Sequence, residues 1–202
     1  MNFKTILTAI LFSLTIISSA IASGFMQVAN VTKIQGTATV KTEKYEEKLK
    51  VGDEITEGMT VAMSNPKSFI EVKFQNGHLV RFVGASVKVE TLNPKNTLFN
   101  LIKGKIFSAI KPLTQDETFD VKTKRASFAV RGTRFYLDES KKNSYLCVCE
   151  GTVAAKTGKG EVAVSKDEDL KIANSKSELK KTPASKMMVD MGNQVFGEMG
   201  VL

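Results

Sequence analysis

Val130-Arg131-Gly132-Thr133-Arg134-Phe135 and then Cys149-Glu150-Gly151-Thr152-Val153 join a turn glycine to a strand twice within twenty residues. Glycine enters positive φ at little steric cost and so marks a corner. On either side of these corners the apolar residues recur every second position. The same alternation runs through Val121-Lys122-Thr123, Val87-Lys88-Val89-Glu90 and Ile70-Glu71-Val72-Lys73-Phe74, as in strands that bury one face. Between Val31 and Val164 no ten-residue stretch has a helical period, and Gly or Asn-Gly marks most breaks;. The body of the chain is therefore all-β. Gly36, Gly58, Gly77, Gly104, Gly132 and Gly151 each open a largely apolar run, at gaps of 22, 19, 27, 28 and 19 residues. Periods in the twenties fit the coils of a small β-solenoid with glycine at the tight corners. A β-sandwich, with short strands about 8 to 12 residues apart, is the other architecture these breaks allow.

The order V-R-G-T-x-F, polar turn, second strand and E-G resembles the FecR-domain family. The likeness runs from about Val31 to Ile172. It takes in Gly36-Thr37-Ala38-Thr39-Val40 as an opening strand, Leu49-Lys50-Val51-Gly52-Asp53 as an L-x-x-G-D corner and Gln75-Asn76-Gly77-His78-Leu79-Val80 as a hairpin. The resemblance implies a solenoid-like or roll-like β-domain. It makes Gly52, Asp53, Gly77, Arg131, Gly132, Thr133, Phe135, Glu150 and Gly151 the motif residues, with structural roles. Domain type alone does not name a ligand.

At the N-terminus Lys4 precedes a mostly apolar run, Ile6 to Ile17, which gives way to small residues and Ala20-Ile21-Ala22. This is the form of a secretory signal peptide cleaved after Ala22. Ser13, Thr15, Ser18 and Ser19 interrupt the stretch, whereas a spanning helix needs roughly 20 apolar residues. No membrane span is expected after cleavage. The predicted organisation is a signal peptide over 1–22, a lead-in over 23–30, the β-domain over 31–173, a polar linker over 174–182 and a C-terminal helix or tail over 183–202. Loss of the leader leaves about +7 from the full chain's +8. The lysines are mostly single, and Lys122-Thr123-Lys124-Arg125 and Lys180-Lys181 are too short to make a basic tract. Export and the lack of a zinc-finger or helix-turn-helix pattern argue against nucleic acid. The predicted location is the periplasm or the extracellular space.

After Val164 the chain turns polar, with a last short strand at Leu170 to Ala173;. Thr182-Pro183 then has the form of an N-cap followed by proline at the first helical position;. Met188, Met191, Val195 and Met199 fall three or four apart and form an apolar stripe on a short helix. The stripe can cover an open edge of the β-domain, or serve as an adaptable, methionine-rich docking surface.

Catalytic chemistry finds no foothold. His78 is the single histidine and follows the Asn76-Gly77 hairpin signal with no nucleophile motif in reach;. Glu43, Glu46 and Glu47 flank lysines and read as a solvated turn. Cys147-Val148-Cys149 puts two thiols on one side of a strand. Their Cα atoms lie about 6.6 Å apart from the strand rise, near the upper limit of about 6.8 Å for a disulfide, so reduced, core-facing thiols are expected. One histidine without CxxC or HxxxH spacing supplies no metal set;. No cofactor is predicted, and the chain is not expected to be an enzyme.

Arg131, on a strand beside a glycine corner, needs a partner if it leaves water. Glu150, one corner away, is the acid expected to pair with it. Arg125 and Arg134 stand nearby, but alternation can send the three to different faces;. Phe128 and Phe135 are expected in the core. In the best-known proteins this chain resembles, a cytoplasmic anti-sigma segment and a membrane helix precede the FecR domain. A signal peptide in their place makes direct sigma-factor regulation unexpected. The resemblance leaves a protein-protein interaction module of the cell envelope, acting as a sensor component or scaffold. The alternative is a binding module for cell-wall glycan or another polyanion, and a third possibility is self-assembly through edge strands.

Overall fold

The structure, a computed structural model, describes residues 29–202. The signal peptide, its cleavage site and nearly all of the lead-in lie outside the described residues. Fourteen strands and one helix follow in chain order among the described residues. They are β1 (Ala29–Gln35), β2 (Thr39–Lys41), β3 (Glu46–Lys48), β4 (Glu54–Ile55), β5 (Thr60–Ala62), β6 (Phe69–Phe74), β7 (Leu79–Leu92), β8 (Asn96–Ala109), β9 (Thr118–Lys122), β10 (Ser127–Glu139), β11 (Ser144–Thr157), β12 (Gly160–Ser165), β13 (Glu168–Ile172), β14 (Lys181–Pro183) and α1 (Lys186–Glu198). The all-β reading with a short C-terminal helix holds.

The four long strands organise the rest. The first half of β7 pairs with β6 and with the second half of β8. The second half of β8 pairs with the second half of β10, which pairs with the first half of β11, which pairs with β13. The other halves make a separate row in which β5, β7, β8, β9, β10, β11 and β12 are neighbours. One sheet is thus folded into two layers, and each long strand passes from one layer to the other. Phe82 of the first layer meets Phe99 of the second at 5.5 Å between centroids, edge to face, and Phe74 meets Phe119 at 6.2 Å. These rings and their aliphatic neighbours fill the space between the layers.

The sheet stays open at its ends, β14 and β3. Among the described pairings only β8 with β9 is parallel. Successive strands mostly return on themselves as hairpins instead of stacking as the parallel coils of a solenoid. Of the six spaced glycines, Gly104, Gly132 and Gly151 lie inside long strands where these change layer, Gly36 and Gly58 lie in connections that pass from one layer to the other, and Gly77 closes the β6–β7 hairpin within one layer.

Gly104 shows what such a corner requires. Its φ is +89°, and a Cβ there would stand 2.5 Å from Ala85 Cα and 2.6 Å from the Gly84 carbonyl oxygen. The β7–β8 register slips between Val83 and Ser86, beside this contact. The slip moves the buried set of β7 from Val80 and Phe82 to Ala85, Val87 and Val89, so one strand keeps its apolar side inward in both layers.

The tail differs from expectation in two respects. Lys181–Pro183, the end of the predicted linker and the start of the predicted helix, is a strand paired with β13. Thr182 Oγ1 donates to Asp169 at 2.5 Å instead of capping a helix. Proline is tolerated because this is an outer strand with no further neighbour to need its N–H;. The helix begins after Ser185.

Replacing Gly104 with alanine separates conformation from close approach. G58A carries a similar φ of +85° into open space and is expected to cost about 1 kcal/mol. G104A adds a backbone clash and is expected to cost more than about 3 kcal/mol. Equal urea midpoints for the two variants would refute the close-approach account.

Candidate functional site

The V-R-G-T corner is the most sequence-specific piece of the chain. Val130 turns into the core and Arg131 turns out to solvent. Gly132 has φ +61°, with the site of a Cβ only 3.1 Å from Pro112 Cα, so the strap that connects β8 to β9 runs directly over it. Thr133 is buried, and its hydroxyl donates to the Thr152 carbonyl at 3.0 Å. A Cβ on Gly151 would lie 2.7 Å from the Gly132 carbonyl. The two corners quoted first from the sequence therefore interlock. Phe135 is fully buried in the core, as is Phe128.

Beneath the strap a cleft of about 550 Å³ opens on the outer face of the second layer. Ala129 and Ala154 form part of its floor, Leu113 and Glu117 come from the strap, and Asp120 and Arg131 bring opposite charges to it. The floor is flat because Ala129 pairs with Ala154 across β10 and β11. Burial pushes the Asp120 carboxyl above its ordinary value, against a smaller opposing effect of Lys122. Glu117 is held below its ordinary value, first by the Thr114 backbone N–H that donates to it at 2.8 Å. The strap is fixed at its start by His78, whose Nδ1 accepts from the Lys111 N–H at 3.2 Å. The buried imidazole stands edge-on to Phe119 at 5.9 Å. Burial holds its pKa below 6.5, with Glu117 opposing and Lys111 adding to the shift.

Gly52 and Asp53 form the predicted L-x-x-G-D corner, where the Lys50 N–H donates to the Asp53 carboxylate at 2.7 Å. Gly77 closes the β6–β7 hairpin through its N–H to the Phe74 carbonyl at 2.9 Å. The expected pair of Arg131 with Glu150 is not formed. Glu150 lies 2.6 Å from Arg134 Nε, and Arg134 also donates to the Val201 carbonyl at 2.7 Å. An exposed Arg131 keeps its hydration and needs no acid.

Two buried ion pairs escaped sequence reasoning. Arg125 pairs with Glu139 and donates to the carbonyls of Ala173, Ser140 and Lys141, while Ser144 donates to the same Glu139. Arg81 pairs with Glu71 at 2.6 Å and with Glu198 of α1 at 2.8 Å. The available signal was an arginine inside an apolar run, Val80-Arg81-Phe82; its partners are distant in sequence.

The methionine stripe faces inward. α1 lies on the outer face of the first layer, and Met188, Met191, Val195 and Met199 pack there with Phe107, Tyr136, Cys147 and Cys149. Phe196, outside the predicted stripe, is the helix residue most fully buried. The helix covers a sheet face and not an edge. Cys147 and Cys149 are free and buried, but they face this second cluster and not the interlayer core.

Residues 60–154 match the family model described as FecR protein. The chain carries a FecR domain. The FecR match runs from β5 into β11, so it contains the interlocked corners, His78 and the cleft floor, and leaves out β1 to β4 and the helix. In structure the chain is similar to a candidate anti-sigma factor from Parabacteroides distasonis ATCC 8503, with a TM-score of 0.57 and 17% identity over 67% of this chain and 64% of that one. A second structure of the same description and organism gives a TM-score of 0.46 and 15% identity over 78% of this chain and 65% of that one. At this identity the likeness is one of fold, and the FecR-domain chain spans a little under two thirds of each neighbour. No curated protein matches the chain.

R125M is expected to destabilise the protein by about 3 kcal/mol or more, because Glu139 is left buried without its main partner. R131A should change stability by less than about 0.5 kcal/mol. Denaturant midpoints that rank the two the other way would refute these placements. His78 also makes stability depend on pH. Its folded pKa lies below the unfolded value, so its contribution is complete above about pH 6.5 and is lost as pH falls below it. H78N keeps an acceptor for Lys111 without titrating. The wild type should lose stability relative to H78N between pH 7 and pH 5, and parallel curves would remove His78 as the cause.

Proposed function

We propose that this FecR-domain protein is a non-enzymatic interaction module of the cell envelope, working as a sensor component or scaffold, and that the cleft beside the V-R-G-T corner is where its protein partner binds. The observation that carries this reading is Arg131. The motif's one charged side chain points into an open cleft, with no acid among the described residues holding it, while its neighbours Val130, Gly132 and Thr133 are taken up by packing. A flat alanine floor lets a partner segment come close to the sheet, and Arg131 and Asp120 offer it opposite charges. The fold shared with a candidate anti-sigma factor is compatible with a signalling role. Glu117 and Asp120 beside Arg131 count against a polyanion at this cleft, so glycan binding is the lesser reading. Export with cleavage after Ala22 completes the proposal. Among the described residues no helix is long and apolar enough to cross a membrane.

A photo-crosslinking residue placed at Ala129 in cells should give a defined protein adduct that is absent when the probe sits at exposed Lys88 and is lost in an R131E background. Adducts of equal strength from both positions, or only with wall fragments, would overturn the assignment. N-terminal sequencing of the same purified protein should begin at Ser23.

A further inference from the structure

Sulfur is unevenly distributed in this molecule. Among the described residues, the main core contains Met63 and Met59 as its only sulfur residues out of forty. The smaller cluster under α1 contains Cys147, Cys149, Met188, Met191 and Met199 out of fifteen. Cys147 and Cys149 project from the same side of β11 and are 1% and 8% exposed. The helix lies against them at Gly192, where a Cβ would stand 2.7 Å from Cys149 Sγ. Any other residue at 192 would require the Cys149 thiol or the helix to shift. Met188 and Met191 are half-buried in this cluster, and the neighbouring Met187 is 74% exposed.

We propose that Cys147 and Cys149, with thioethers from α1, form a binding site for a soft monovalent cation of the Cu(I) class. Thiolate and thioether sulfur select such ions, whereas magnesium and calcium take oxygen ligands. A structural zinc site would need about four nitrogen, sulfur or oxygen donors. Among the described residues no three of His, Cys, Asp and Glu come together to supply them. Binding releases the two S–H protons and admits one positive charge, so the neutral dithiol becomes a bis-thiolate complex of charge −1. Arg134, paired with Glu150 at 2.6 Å, is a cation near Cys149, and Asp167 is an anion near it.

The full chain, reduced and kept free of oxygen, is titrated with Cu(I) against a chromophoric Cu(I) chelator. The wild type should retain one equivalent, with affinity rising about ten- to a hundredfold per pH unit as protons are released. X-ray absorption should show an all-sulfur coordination shell. The C147S/C149S variant should bind at least about a hundredfold more weakly. M188L/M191L/M199L conserves volume and the fold and should bind about tenfold more weakly, with circular dichroism unchanged. No retention by the wild type, or wild-type affinity in either variant, would overturn the site.

Discussion

The fold depends on backbones touching where strands change layer. Gly104 lies against Ala85 and the Gly84 carbonyl, and Gly151 lies against the Gly132 carbonyl and Thr133. In each case a corner of one strand occupies the space that a side chain would need on its neighbour. Paired strands must therefore bend at the same level. The bends carry a register slip that returns the apolar residues to the interior on the far side, as when Val130 gives way to Phe135 and Leu137 along β10. Without the slip, a strand with its apolar side inward in one layer would present its polar side to the interior of the other.

The same slips explain what could be read from the sequence. Alternation within each half-strand was legible, and so were the glycines as corners. Their spacing in the twenties suggested repeated coils, but these glycines mark changes of layer along hairpin-connected strands and, at Gly77, a hairpin turn. Alternation reports which face is buried and is silent on whether the neighbouring strand runs parallel or antiparallel. Gly84 escaped notice because Val83-Gly84-Ala85-Ser86-Val87 reads as an uninterrupted strand. Its role comes from Pro66 and Gly104, which pack on it from other segments.

Charge was harder to read. Arg125, Arg131 and Arg134 lie within ten residues, yet each has a different environment. Arg125 sits in the turn before β10 and reaches Glu139 at the far end of that strand, where the β13 terminus supplies a carbonyl as well. Arg131 and Arg134 both point away from the interior, but the layer change between them puts one in the open cleft and the other under the end of the helix. Local sequence made Glu150 a candidate partner for either arginine, and only the corner at Gly132 decides for Arg134.

The two outer faces differ because the two kinds of half-strand differ. In the first layer apolar residues run consecutively, as in Phe135-Tyr136-Leu137 and Leu146-Cys147-Val148, the pattern of strands buried on both faces. In the second layer Val87-Lys88-Val89 and Val153-Ala154-Ala155-Lys156 keep small or charged residues outside. The first layer must be covered, and α1 covers it with Phe196 and the methionines, with Arg81 and Arg134 tying the helix end to the sheet. Exposing that face would leave an apolar patch of the kind soluble proteins avoid. The second layer has no such demand and leaves its cleft open to solvent. A protein partner that docks on the open layer has no helix to displace, which favours the cleft beside Arg131 over the methionine stripe as the docking surface we propose.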